Sequence, residues 1–173
     1  MTHLDKRKNI YLVGFMGAGK STIGKILSER LNIDYFDLDK EIEKAENREI
    51  KMIFEQNGEE YFRILETSTL NHLSSSNKNF IISTGGGVIE REENRGIMSR
   101  FGKTLYLKAD INTLWERVRH SKHRPLLNVD NAFVKAKELF NKRKDLYEKS
   151  DYVVETDNLN KEQVADEILK IID

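Results

Sequence analysis

The chain has 173 residues, enough for one domain over 1–173 with a sizeable core. Its 29 basic and 29 acidic side chains cancel, so no overall field draws it to nucleic acid or to an anionic membrane. Cysteine is absent, which excludes disulfides and thiolate metal sites. The polar start MTHLDKRKN and the lack of any bilayer-length apolar run lead us to expect a cytoplasmic protein with no membrane partner.

The first predicted element is a strand over the apolar run 10–13. It leads into Gly14-Phe15-Met16-Gly17-Ala18-Gly19-Lys20-Ser21, which fits G-x-x-x-x-G-K-[ST] at every fixed position. Behind the loop, Ile23, Ile26, Leu27 and Leu31 recur at helical spacing and define one apolar face. Strand, glycine-rich loop and helix, in that order, are the context this motif requires. The glycines free the backbone to turn and approach a ligand, and the helix N-terminus adds positive potential. A polyphosphate is therefore expected over Gly17, Ala18, Gly19, Lys20, Ser21 and Thr22. Lys20 would add a full charge at the β- and γ-phosphates, and the Ser21 hydroxyl is placed to ligate Mg2+.

Downstream, strands alternate with helices. A short strand over 34–36 ends at Asp37-Leu38-Asp39, and a charged helix covers 40–48. Two more helices over 49–56 and 59–73 are separated by Asn57-Gly58. Phe80-Ile81-Ile82 is a continuous apolar run, as a strand buried on both faces requires, and it meets Thr84-Gly85-Gly86-Gly87. A helix over 91–100 precedes a strand over 104–107, and Asp110 can cap the helix carrying Leu114, Trp115 and Val118. The polar, proline-bearing segment 121–131 is expected to be a loop. Phe133, Ala136, Leu139, Phe140, Leu146 and Tyr147 describe a long amphipathic helix, followed by a last strand over 152–154 and a closing helix with Val164, Ile168, Ile171 and Ile172. The alternation predicts an α/β three-layer sandwich, a five-stranded parallel sheet with helices on both faces. Ligands in such folds bind beyond the carboxyl ends of the strands, where the P-loop, Asp37/Asp39 and the triple glycine all fall.

Several side chains there suit chemistry. One carboxylate beside the P-loop can hold magnesium through water and another can orient an acceptor hydroxyl; two capping aspartates are the plain alternative. Glu59, Arg63 and Glu66 share a helical face, as an exposed ion-pair ladder or as part of a cleft. Three consecutive glycines are costly in entropy and are repaid by close backbone approach. The basic segment 117–124 suits a lid over a phosphate better than nucleic acid, since no aromatics interleave with it. Arg143 lies on the apolar stripe of Phe133, Ala136, Phe140 and Tyr147, so it either snorkels at the edge or reaches into a cleft. His3, His72 and His123 have no partner at ligand spacing and are expected on the surface.

Taken together, the GFMGAGKS loop, Asp37-Leu38-Asp39, Gly58-Glu59-Glu60-Tyr61-Phe62-Arg63, Thr84-Gly85-Gly86-Gly87, Arg124-Pro125-Leu126-Leu127 and Arg143…Leu146-Tyr147 resemble the shikimate kinases, over nearly the whole chain. The resemblance implies a P-loop NTPase of the nucleoside-monophosphate-kinase type that uses ATP and Mg2+ to phosphorylate the 3-hydroxyl of shikimate in chorismate biosynthesis, as a monomer. It implies that Asp39 faces the acceptor hydroxyl, and that Asp37 is nearer the metal, reaching it through water beside Ser21. It puts Arg63 and Arg143 on the substrate carboxylate, Glu66 near a substrate hydroxyl, and Gly85, Gly86 and Gly87 against the ring. Arg124, with Lys20 and Asp39 the catalytic set, would act from a lid at about 120–131, and Arg117 would pack on adenine. The helical segment at about 40–73 would bind substrate. Two departures stand out: His120 in the lid, and Asp145 where relatives commonly have proline two residues after the arginine. The alternatives are a gluconate kinase-like enzyme, which should lack the triple glycine, and a nucleotide-binding module without turnover.

Overall fold

The protein is described here by a computed structural model covering residues 9–76, 78–119 and 131–172. Five strands form one parallel sheet in the order β2-β3-β1-β4-β5: β1 (Asn9–Val13), β2 (Asp34–Asp37), β3 (Phe80–Ser83), β4 (Gly102–Lys108) and β5 (Tyr152–Glu155). The helices are α1 (Lys20–Leu31), α2 (Leu38–Glu46), α3 (Ile50–Ser74), α4 (Glu92–Phe101), α5 (Ile111–Val118), α6 (Ala132–Tyr147) and α7 (Lys161–Ile172). A single 3-10 turn, Val88–Glu90, follows the triple glycine.

The central strands explain the hydrophobic runs. Every residue of β1 and β3 is buried, because helices cover both faces there, while the edge strands β2 and β5 are more open. The α1 and α7 helices pack on each other, and α3 packs on α4, which lies against β1 and β4. Because β1 has β3 on one side and β4 on the other, the connection after it opens into the crevice where ligands of such sheets bind. Among the described residues, no helix is long and apolar enough to cross a membrane.

Several boundaries differ from the sequence expectation, and the first of them is set by capping. The chain leaves β2 at Asp37, whose carboxylate accepts from the amide of Lys40 and starts α2 two residues early. Asp39 therefore lies in the first turn of a helix, not on a strand end. The break predicted at Asn57-Gly58 is a kink inside α3, where Gly58 takes φ 82°, ψ 173°, a conformation that disfavours any residue with a Cβ. Ser74, expected in a loop, closes α3 and is buried, its hydroxyl accepting from Tyr11 at 2.7 Å. The segment expected as a lid lies almost wholly outside the described residues.

At Gly24 the requirement is space rather than φ. A Cβ there would collide with the Tyr35 ring and stand 3.2 Å from Leu12 Cδ1, so α1 sits on the sheet only because that position is bare. Gly24→Ala is expected to cost about 1–3 kcal/mol, the usual range for overpacking, read as a lowered denaturation midpoint.

Candidate active site

The P-loop, residues 14–21, runs from the end of β1 into α1. Its φ values at Gly17 (83°) and Gly19 (90°) are left-handed, which only glycine adopts without strain, and Gly19 caps α1. The Lys20 ammonium bends back to donate to the carbonyls of Gly14 (2.8 Å) and Phe15 (3.1 Å). Beside it, Ser21 Oγ donates to Asp37 Oδ2 at 3.0 Å. That hydroxyl–carboxylate pair at the mouth of a phosphate loop fits a hydrated divalent cation. No group of three or more His, Cys, Asp or Glu able to hold a metal occurs among the described residues, so phosphate and water would supply the other ligands. Arg117 on α5 crosses to the Gly17 carbonyl at 3.2 Å.

The P-loop opens into a cavity of about 540 Å3. Of the residues singled out from sequence, Gly17, Gly19, Lys20, Ser21, Thr22, Asp37, Asp39, Arg63, Glu66, the three glycines, Arg117 and Arg143 all line it. Ala18 is buried beneath, and Arg124 lies outside the described residues. The cavity also has an apolar wall that sequence reasoning missed: Ile50 and Phe54 on α3, with Phe62 behind the kink. Phe54 and Phe62 pack with ring centroids 4.8 Å apart.

The charged groups share the cavity with that wall, the Arg63 guanidinium lying over the Phe62 ring at 5.3 Å from its centroid. Of the two readings of α3, burial favours the cleft: Glu66 is fully buried and accepts from Arg63 Nη1 at 2.9 Å, while Glu59 stays outside and pairs with Nη2 at 3.2 Å. Arg143 is buried, so it reaches into the cleft instead of snorkelling. The triple glycine turns out to be bare for room. None of the three has positive φ. A Cβ at Gly87 would stand 2.6 Å from Arg63 Nη2, one at Gly86 3.4 Å from Arg143 Nη1, and one at Gly85 3.1 Å from Asp39 Oδ1 and 3.2 Å from Glu66 Oε1. The loop is stripped so that four charged side chains can converge on it.

Two of those oxygens, Asp39 Oδ1 and Glu66 Oε1, are buried and find no hydrogen-bond partner among the described residues. Burial also pushes the Asp39 carboxyl up to about 6, helped by the charge of Asp37 and opposed by Lys20. Burial pushes Glu66 up as well, against the pull of Arg63. Glu90, at the end of the 3-10 turn, was not foreseen. Its carboxylate holds Arg143 and Lys142, and nothing in the local sequence pattern marks it.

A phosphate loop, a hydroxyl–carboxylate pair for a divalent cation and converging charged side chains in the same cleft, set on this sheet order, define a P-loop small-molecule kinase fold. The chain belongs to the shikimate kinase family, which residues 16–173 match. A shikimate kinase of Thermodesulfovibrio yellowstonii is 42% identical over 163 residues, covering 94% of each chain. The solved shikimate kinase from Acinetobacter baumannii in complex with shikimate superposes with a TM-score of 0.91 at 39% identity, covering 97% of this chain and 94% of that one. A gluconokinase from Sinorhizobium meliloti also superposes, with a TM-score of 0.63 over 96% of this chain and 92% of its own; at 13% identity that likeness is one of fold.

Proposed function

We propose that this chain moves the γ-phosphoryl of Mg-ATP onto the 3-hydroxyl of shikimate. The observation that carries the reading is the pair of unpartnered oxygens, Asp39 Oδ1 and Glu66 Oε1, meeting over Gly85 between two guanidinium groups. Buried acceptors without donors call for a ligand that brings hydroxyls. The flanking arginines call for one that also brings a carboxylate. A small polyhydroxy acid meets both demands, and membership of the family, with a relative solved in complex with shikimate, supports shikimate among such acids.

In this reading Arg63 and Arg143 hold the acid group, and Glu66 accepts from a ring hydroxyl. Asp39, ionised above about pH 6, accepts from the hydroxyl that reacts. That oxygen bonds to the γ-phosphorus as the bond to the ADP oxygen breaks, and its proton passes to Asp39. The transition state is loose, so positioning and charge stabilisation by Lys20 and the loop amides do most of the work. Ser21, and Asp37 through water, would hold Mg2+, which when bound neutralises charge between the β- and γ-phosphates. Arg117 borders the nucleotide side, and Arg124 would add its charge from the segment between α5 and α6. The working unit is read as a monomer and its location as cytoplasmic.

The test compares ADP release with shikimate, with gluconate and with no acceptor. Stoichiometric release is expected with shikimate alone. Faster turnover with gluconate would move the chain to the gluconate kinase-like reading, and equal release without acceptor would remove the acceptor site.

A further inference from the structure

We propose that Glu90 is a positioning residue for the acceptor carboxylate, acting through Arg143; this rests on the reading that Arg143 grips that carboxylate. A guanidinium offers two bidentate edges, one carrying Nε and one carrying both terminal nitrogens. Glu90 Oε1 lies against the first, accepting from Nε at 2.6 Å and forming an ion pair with Nη2 at 2.6 Å. Its other oxygen accepts from Lys142 at 2.7 Å, so the carboxylate is itself held from both sides. The second edge of Arg143 stays turned to the cleft, with Nη1 running along Gly86.

The clamp is built from the same loop that shapes the cleft. The Glu90 amide donates to Gly87 O at 3.0 Å, and Arg95 donates to Glu90 O at 3.1 Å, which fixes the turn bearing the carboxylate. Tyr147, one turn beyond Arg143, donates to Gly86 O at 2.6 Å and stacks on Tyr106 with centroids 5.0 Å apart. Arg143 and the glycine loop are thereby locked in one register. Residue 145 is an exposed aspartate on the far side of α6, so the orientation of Arg143 is set through space from the 3-10 turn. Glu90 also removes part of the attraction between Arg143 and an incoming anion, and the proposal is that orientation outweighs this loss.

The test combines Glu90→Ala, Glu90→Gln, Arg143→Ala and the double variant Glu90→Ala/Arg143→Ala. Shikimate affinity is measured by calorimetry without nucleotide, and KM for each substrate by kinetics. Glu90→Ala is expected to weaken shikimate about tenfold, with KM for ATP within about twofold. Glu90→Gln, which keeps an oxygen against the Nε edge, should recover most of that loss. In the Arg143→Ala background, removing Glu90 should cost nothing further, as for two residues acting as one unit. If the alanine variant does not fold, Glu90→Asp, one methylene short of the edge, must show the same selective loss. Equal or tighter shikimate binding in Glu90→Ala, loss of both KM values together, or an undiminished loss without Arg143 would each overturn the proposal. If the unaltered protein fails to bind shikimate, the functional reading falls and takes this inference with it; if it binds and the Glu90 variants are indifferent, only the inference falls.

Discussion

Asp39→Asn is expected to lower turnover by roughly 10²–10⁴-fold, the span typical of a lost general base, while making the folded protein more stable at neutral pH. The two effects have one origin. Asp39 is partly buried beside Asp37, so its carboxyl is raised from the ordinary 3.8 to about 6. Its proton is held more tightly in the folded chain than in the unfolded one, so ionisation opposes folding. That cost is absent below about pH 4, grows as pH rises, and is complete above about 6. A rise of this size corresponds to at most about 3 kcal/mol, less whatever solvent reaches the group. The amide removes the charge, so its denaturation midpoint should exceed that of the unaltered protein by up to roughly 5–10 °C at about pH 7.5. The two should converge near about pH 4. ATP affinity should hold within about threefold, since Lys20, Ser21 and the loop amides remain. Near-normal turnover in a folded Asp39→Asn protein would shift suspicion to Asp37. A lowered midpoint at neutral pH would mean that the carboxylate has a donor in the folded protein.

The parts of this architecture that the sequence makes legible are those whose requirement is local. Gly14, Gly17 and Gly19 take φ values of 145°, 83° and 90°, which only glycine meets cheaply, so the phosphate loop is visible as a pattern of bare residues. β1 and β3 are legible because burial on both faces leaves unbroken apolar runs. β4 starts two residues before its apolar stretch, because Gly102 is drawn into the sheet by backbone pairing with Asn9, which no side chain records. The Asp37 cap is legible as a residue type but not as a boundary, since a short strand and a helix start share the same aspartates.

The site divides in the same way. Arg143 stands out as a charge on an apolar stripe, and Arg63 by its helical spacing to Glu59 and Glu66. The triple glycine stands out as an oddity, yet its cause is tertiary: three side chains from α3 and α6 and one from α2 fill the space that Cβ atoms would take. Glu90 has no such trace. It sits on a single 3-10 turn with no period to violate, and only the approach of α6 gives it meaning. Ile50 and Phe54 are likewise ordinary apolar residues on α3 until the kink at Gly58 turns that half of the helix over the cavity.

Lys20→Met should lower kcat by about 10²–10³-fold or more, the effect of losing a donor aimed at developing charge. Methionine keeps much of the aliphatic stem, so the expected loss belongs to the ammonium. The same ammonium lowers the Asp39 carboxyl against the upward push of burial and of Asp37. Removing it should therefore move Asp39 above about 6 in the nucleotide-free protein and leave more of the base protonated near neutrality. Part of the lost turnover should then be regained as pH is raised, whereas loss of phosphate stabilisation alone would not respond to pH in this way. Carboxyl carbon-13 resonances followed from about pH 4 to about pH 9, with Asp39→Asn used for assignment, read the shift directly. An Asp39 titration unchanged between Lys20→Met and the unaltered protein would confine Lys20 to the nucleotide. A downward shift would reverse the sign of the coupling and remove Lys20 from the electrostatics of the base.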